Sequence, residues 1–242
     1  MLLALWSPKG GSGSSVVAAA TALVSAARAE TRLADLGGDQ PAILGLALRP
    51  PVSGQLEGLA RWLAAGAAAP AEWLDDMAVP VVPGLDLLPT GSDVADLAGW
   101  PGVSPEAGAA LAVALRDGGL VVLDAGSGSD RGGAVRAAIE VADAALMVIR
   151  PCYLALRKAV GDPRLARSAG AILVEDPGRA LDAADVAAVL GVPVVGRVPV
   201  RADIARAVDA GVLRDRLPDP LVASATAILD RLADMAGGRS AA

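Results

Sequence analysis

The chain has 242 residues and a formal net charge of −6, with 54% apolar residues. That length and apolar content suit one large globular domain and exclude a disordered chain. The acidic balance argues against binding nucleic acid over the whole surface. The lack of histidine excludes His-based catalysis and His-ligated metals, and the single cysteine, Cys152, excludes an internal disulfide and fits a reducing cytoplasm. Aromatics make up 2% with no Phe, so the core must be packed from Ala, Val and Leu.

Leu2 to Trp6 is apolar throughout and predicts a strand buried on both faces of a parallel sheet. Ser7-Pro8-Lys9-Gly10-Gly11-Ser12-Gly13-Ser14-Ser15 follows, then an Ala-rich helix from Val16 to about Ala29. A strand, a glycine-rich turn and a helix N-terminus together form an anion site, because free backbone N–H groups and the helix dipole both favour negative charge. Arg32 to Leu36 predicts a second strand with Asp35 near its end. Gly37 to Pro41 reads as an irregular turn, and Ala42 to Leu48 as a short helix. Gln55 to Ala65 carries Leu56, Leu59, Trp62 and Leu63 on one helical face, and Pro70 to Met77 opens with a helix-starting proline.

Val79–Val82 and Leu85–Leu88 predict strands on either side of Pro83-Gly84. A helix over Pro105–Arg116 leads to the strand Leu120–Leu123, which ends at Asp124. A helix over Arg131–Val141, a strand over Ala145–Ile149 and a helical stretch over Tyr153–Ser168, broken near Gly161-Asp162-Pro163, come next. Ala171–Val174 and Val194–Val198 predict two further strands, separated by a helix over Asp182–Leu190. Two helices, Ala202–Ala210 and Leu221–Met235, close a single domain over 1–236, with a frayed tail over 237–242. Strands alternating with helices predict a doubly wound, mostly parallel α/β sheet with helices on both faces. No stretch is long enough to span a membrane, and the last helix lacks the basic amphipathic pattern of a membrane anchor.

Lys9 to Ser15 resembles the deviant Walker A loop, K-G-G-x-G-K-[ST], of the ParA/MinD family of P-loop ATPases. The resemblance implies the P-loop NTPase fold of that family, with ATP and Mg²⁺ as ligands. Lys9 stands at the signature lysine, Gly10, Gly11 and Gly13 at the family glycines with Ser12 between them, and Ser15 at the Mg²⁺-binding hydroxyl. Ser14 replaces the ordinary P-loop lysine, as in the CpaE/TadZ-like pilus-assembly branch, and implies a weak ATPase or none. Asp124 resembles the Walker B acid, holding Mg²⁺ with Ser15, and Asp124-Ala125-Gly126 the start of a switch segment; the plain reading of Asp124 is a turn cap. Where the family's second strand ends D-x-D, this chain has Asp35 and then Gly37. Asp39 remains the candidate for orienting an attacking water, against its plain reading as a surface turn residue. Pro199 and its loop stand where relatives contact the base, and Glu175-Asp176 replaces the family's base-reading Asn.

Lysine is otherwise found here only at Lys158, which argues against a chance Gly/Ser turn. A dinucleotide-binding turn, Gly11-x-Gly13 with Asp35 as the ribose acid, competes but lacks the third glycine, since Val16 stands there. The resemblance also implies a nucleotide-dependent homodimer in which Lys9 reaches the partner's nucleotide. Its roles would be placing a pilus-assembly or septum-site machinery from the cytoplasm, with recruitment to the pole or septum by a protein partner. Chromosome or plasmid partitioning is the alternative role, and a non-catalytic scaffold the alternative class. Arg197, Arg201, Arg206, Arg214 and Arg216 interleave with Asp203, Asp209 and Asp215, so DNA is not expected as a partner.

Overall fold

A computed structural model of the chain describes residues 1–47, 56–91, 103–116, 119–127 and 133–240. Its centre is one eight-stranded sheet in the order β3-β4-β2-β5-β1-β6-β7-β8. The strands are β1 (Leu2–Ser7), β2 (Thr31–Asp35), β3 (Val79–Val82), β4 (Leu85–Leu88), β5 (Leu120–Ser127), β6 (Ala144–Ile149), β7 (Gly170–Glu175) and β8 (Val194–Pro199). All neighbours run parallel except β3 and β4, which form a hairpin across Pro83-Gly84 with Gly84 at φ 81°. Pro80, which cannot donate to a ladder, sits on the edge strand β3.

The apolar strands read from the sequence are buried on both faces because helices cover both. Leu3 and Leu5 of β1 pack beneath α1 (Ser14–Ala26), with α2 (Gln40–Ile43), α9 (Ala202–Asp209) and α10 (Asp219–Ser240) on the same side. Leu2, Ala4 and Trp6 face α3 (Gly58–Ala64), α4 (Trp73–Asp76), α5 (Pro105–Ala114), α6 (Ala134–Val141), α7 (Tyr153–Val160) and α8 (Ala183–Leu190). The scarcity of large side chains is answered by close backbone approach. A Cβ on Gly108 of α5 would overlap the Ala134 carbonyl of α6, so those helices meet through a glycine. Trp6 is filled in from below: its Nε1–H donates to Ser168 Oγ at 3.0 Å, and the Arg164 guanidinium lies 4.4 Å from its ring centre.

Several element ends differ from the sequence reading. The helix expected over Ala42–Leu48 instead starts at Gln40, because Pro41 takes an N-terminal helical position that needs no N–H. Strand β5 does not stop at Asp124: its ladder with β1 resumes past an irregularity at Ser7↔Ser127. The expected switch turn at Asp124–Gly126 is therefore strand, with Gly126 held at φ 67°. The stretch Tyr153–Ser168 divides into α7 and a 3-10 turn over Pro163–Arg167. The last helix runs to Ser240, past the end expected at Met235 and through part of the expected frayed tail. The expected helix boundaries at Leu48, Gln55 and Arg131 lie outside the described residues.

Candidate functional site

The connections out of β1 and β5 leave in opposite directions along the sheet, to β2 on one side and β6 on the other. In open α/β sheets ligands bind beyond the carboxyl ends of the strands at such a reversal. The glycine loop sits there. Gly11 (φ 73°) and Gly13 (φ 88°) hold left-handed backbone that other residues avoid, and Gly13 is the N-cap of α1. The loop is pinned from within. Ser7 Oγ and Ser12 Oγ donate to the Lys9 carbonyl at 2.9 and 2.8 Å, and the Lys9 N–H donates to Ser7 Oγ at 3.3 Å. Ser14 and Ser15 are the first residues of α1, so their N–H groups belong to the free donors of a 13-residue helix.

A cavity of about 540 Å³ opens over this turn, lined by Gly11, Gly13, Ser14, Ser15, Gly37 and Asp39 among others. Its other walls come from α2, the end of β5 and Val208 of α9. Lys9, Gly10 and Ser12 belong to the loop but not to that lining. Lys9 is half-buried, and its ammonium takes no ion pair among the described residues. Pro199 ends β8 opposite Glu175, also away from the lining. The two acids at the expected base end are engaged: Glu175 Oε1 accepts from Arg197 at 2.8 Å, and Asp176 pairs with Arg179 at 3.0 Å. In the C-terminal arginine cluster, Arg201 pairs with Asp203 and Arg214 with Asp215, as the interleaved acids suggested.

Below the cavity two carboxylates stand side by side. Asp35 of β2 and Asp124 of β5 are register partners, and both are 0% exposed. Asp35 Oδ1 accepts from the Gly38 N–H at 2.6 Å and Oδ2 from the Gln40 N–H at 3.2 Å, so this acid shapes the β2–α2 turn. Asp124 Oδ1 accepts from the Gly126 N–H at 3.0 Å, Oδ2 from Gln40 Nε2 at 2.7 Å, and the Ser15 hydroxyl also donates to it. Burial, then the Asp124 charge, pushes the Asp35 carboxyl up to about 8 against the pull of its two N–H donors. Burial likewise raises Asp124, offset by its bonds to Gln40, Ser15 and Gly126. Two buried carboxylates in contact cannot both stay ionised without a counter-charge, so in the absence of a cation the pair holds a proton near neutral pH.

The donor set fits a nucleotide with a hydrated divalent cation. The cavity supplies backbone N–H groups and a helix N-terminus for phosphate, and no cationic side chain among the described residues lines it. Ser15 Oγ and Asp124 are hard oxygen donors of the kind Mg²⁺ takes in small number while keeping its waters. Among the described residues no group of three or more His, Cys, Asp or Glu side chains forms an all-protein metal cage. Asp39, exposed at the cavity margin, is the only charged residue in the lining among the described residues. Gly37 cannot carry an acid without displacement: its Cβ would stand 3.0 Å from Asp124 Oδ2 and 3.4 Å from the Gly126 Cα.

Two residues of this region gave no signal in the sequence. Gln40 lay within a Gly/Pro turn, yet it is fully buried and ties Ser15 to Asp124. Arg150 follows β6, which runs parallel to β1, and so leaves the sheet at the same edge as the glycine loop. Its Nε is buried without a hydrogen-bond partner among the described residues.

No protein-family model and no curated protein matches the sequence. Solved structures do match in fold. A ParA family ATPase from Chlorobium tepidum TLS is 20% identical with a TM-score of 0.72, covering 96% of this chain and 98% of that one. The cell division ATPase MinD of Pyrococcus furiosus is 17% identical with a TM-score of 0.76, covering 97% and 98%. The septum site-determining protein MinD of Pyrococcus horikoshii OT3, complexed with Mg-ADP, is 17% identical with a TM-score of 0.75, covering 98% and 97%. The eight-stranded, mostly parallel sheet with helices on both faces is thus the fold of the ParA/MinD P-loop NTPases.

Proposed function

We propose that this chain is a nucleotide-binding positioning protein of the ParA/MinD type. It takes ATP with Mg²⁺ at the cavity over Lys9–Ser15, pairs face to face with a second copy, and hydrolyses ATP slowly or not at all. The observation that carries this reading is the joining of a positive-φ glycine loop on the N-terminus of α1 to a Ser15–Asp124 contact in that helix's first turn. It sets a phosphate cradle beside a hydroxyl–carboxylate pair suited to Mg²⁺. The Mg-ADP bound by one fold neighbour supports the same ligand class here.

Gly10, Gly11, Ser12 and Gly13 shape the loop, Ser14 and Ser15 present their N–H groups, and Ser15 with Asp124 holds the cation. Asp35 braces Asp124 from the side, and the Pro199 loop meets the base. Lys9 supplies the missing positive charge to the partner subunit's nucleotide, in keeping with its ammonium taking no ion pair among the described residues. Ser14 in place of a lysine removes one charge-assisted contact, worth roughly 1.5–3 kcal/mol. Gly37 leaves no acid against the attacking water, so that role falls to Asp39 at the cavity margin. Ser14 and Gly37 also favour the second reading, a scaffold that binds nucleotide and dimerises without turnover.

The serine at position 14 directs the biological role toward the CpaE/TadZ-like branch, placing a pilus-assembly or septum-site machinery, with partitioning as the alternative. The working unit is one domain over 1–236, acting in the cytoplasm and brought to the pole or septum by a protein partner. No helix among the described residues is long and apolar enough to cross a membrane.

Light scattering on the wild type without nucleotide, with ADP·Mg²⁺ and with ATP·Mg²⁺ tests the reading. The expected result is a doubling of mass with ATP alone and its loss in Lys9→Ala. Unchanged mass in every condition, with calorimetry showing no ATP uptake, would remove the proposal.

A further inference from the structure

Gln40 is 0% exposed, and its amide nitrogen donates to two acceptors at once, the Ser15 carbonyl at 2.9 Å and Asp124 Oδ2 at 2.7 Å. Because both partners are acceptors, the nitrogen must face them and the oxygen must face away. That oxygen, Oε1, is buried and has no hydrogen-bond partner among the described residues. The backbone N–H of the same residue donates to Asp35 Oδ2. One residue therefore touches both buried carboxylates and the first turn of α1.

We propose that Gln40 is a positioning residue for the hydrated divalent cation. Its amide nitrogen fixes Asp124 against the first turn of α1, and its amide oxygen is an additional neutral oxygen offered to the cation with its waters. The proposal rests on the reading of this cavity as a Mg²⁺-nucleotide site. A buried amide oxygen without a donor is unfavourable and uncommon in folded proteins, and it calls for a donor that arrives with the ligand. The nearby side chains Asp35 and Asp124 are acceptors whenever they are ionised, so they offer that oxygen nothing. Magnesium keeps several of its waters, and each water brings hydrogens that donate. An amide suits this place better than a carboxylate would. It gives Asp124 an N–H while adding no third negative charge to the Asp35–Asp124 pair.

The test is calorimetric titration of the full chain with ADP, once in excess MgCl₂ and once in EDTA, for wild type, Gln40→Met and Gln40→Glu. The number read is the ratio of the two affinities. Methionine keeps the length and volume and removes both polar atoms. It should weaken binding in Mg²⁺ by about ten- to a hundredfold while leaving binding in EDTA within about twofold. Glutamate keeps an oxygen and adds a charge, so it should raise the ratio, weakening binding in EDTA and restoring it with Mg²⁺. A resident water filling the gap, or a purely structural amide, would lower the melting temperature of either variant and leave the ratio unchanged, which overturns the proposal. If methionine prevents folding, an unchanged ratio in the glutamate variant has the same force. No ADP uptake by the wild type in either buffer would overturn the nucleotide reading itself. Uptake with an unmoved ratio overturns the role of Gln40 alone.

Discussion

Metal-free protein should lose stability as pH rises from about 4 to 8, the reverse of the usual behaviour of a carboxylate-rich chain. Asp35 has an ordinary carboxyl value of 3.8 when unfolded and is pushed up to about 8 in the fold, chiefly by burial and then by the Asp124 charge. Between those values the folded state holds a proton that the unfolded state has released. Stability then falls with pH, by about 1.4 kcal/mol per pH unit for each proton. Below 3.8 both states are protonated and stability is full; above about 8 both are ionised and the loss levels off. From pH 5 to pH 7 the expected loss is roughly 3 kcal/mol, a large share of the ~5–15 kcal/mol typical of a domain. The chain contains no histidine, so the side chain that most often titrates in this window is missing. Urea unfolding in EDTA at pH 5, 6 and 7 reads the effect directly. With a slope of about 2 kcal/mol/M, the midpoint should drop by roughly 1.5 M urea. Excess Mg²⁺ should flatten the trend, because a cation replaces the proton, and Asp35→Asn should flatten it without Mg²⁺. Midpoints that rose with pH in EDTA would refute the argument that these two acids are buried in contact.

Three substitutions test other parts of the structure. Gly108→Ala should abolish folding or lower stability by more than about 3 kcal/mol, since its Cβ would overlap the Ala134 carbonyl where α5 crosses α6; a melting temperature within two degrees of wild type would contradict the close crossing. Gly37→Ala should cost about 1–3 kcal/mol, because its Cβ would press on Asp124, which is held by Gln40, Ser15 and Gly126. Thermal melts read this, and a stabilised variant would count against it. Asp162→Ala should cost about 3 kcal/mol by stranding the Arg164 guanidinium, whose side chain is 9% exposed and pairs with Asp162 at 2.6 Å. A shift in the emission of Trp6, which lies under that guanidinium, should accompany the loss.

Features that depend on a few consecutive residues were legible in the amino-acid order. The strand–loop–helix at Leu2–Ala26, the β3–β4 hairpin and the helix over 183–190 all follow from local chemistry. Apolar runs predict buried strands, glycines permit left-handed backbone, and Asp182 with Asp185 forms a capping box before Gly191 ends the helix. Asp35 and Asp124 were also identifiable one by one, as acids following apolar runs.

Their contact, and everything built on it, was decided only by tertiary structure. Strand β2 pairs with β5 across 89 residues of chain, counted from Asp35 to Asp124, and no local pattern encodes that neighbour. The same pairing raises the carboxyl of Asp35, brings the backbones of Gly37 and Gly126 together, and leaves no room for an acid at position 37. Gln40 shows the distinction most clearly. Within its own turn it reads as an ordinary polar residue, and its buried hydrogen bonds run to Ser15, 25 residues earlier, and Asp124, 84 residues later. Local propensity acts over a helical turn or a strand pair, whereas a buried polar network is set by which segments the sheet order makes adjacent.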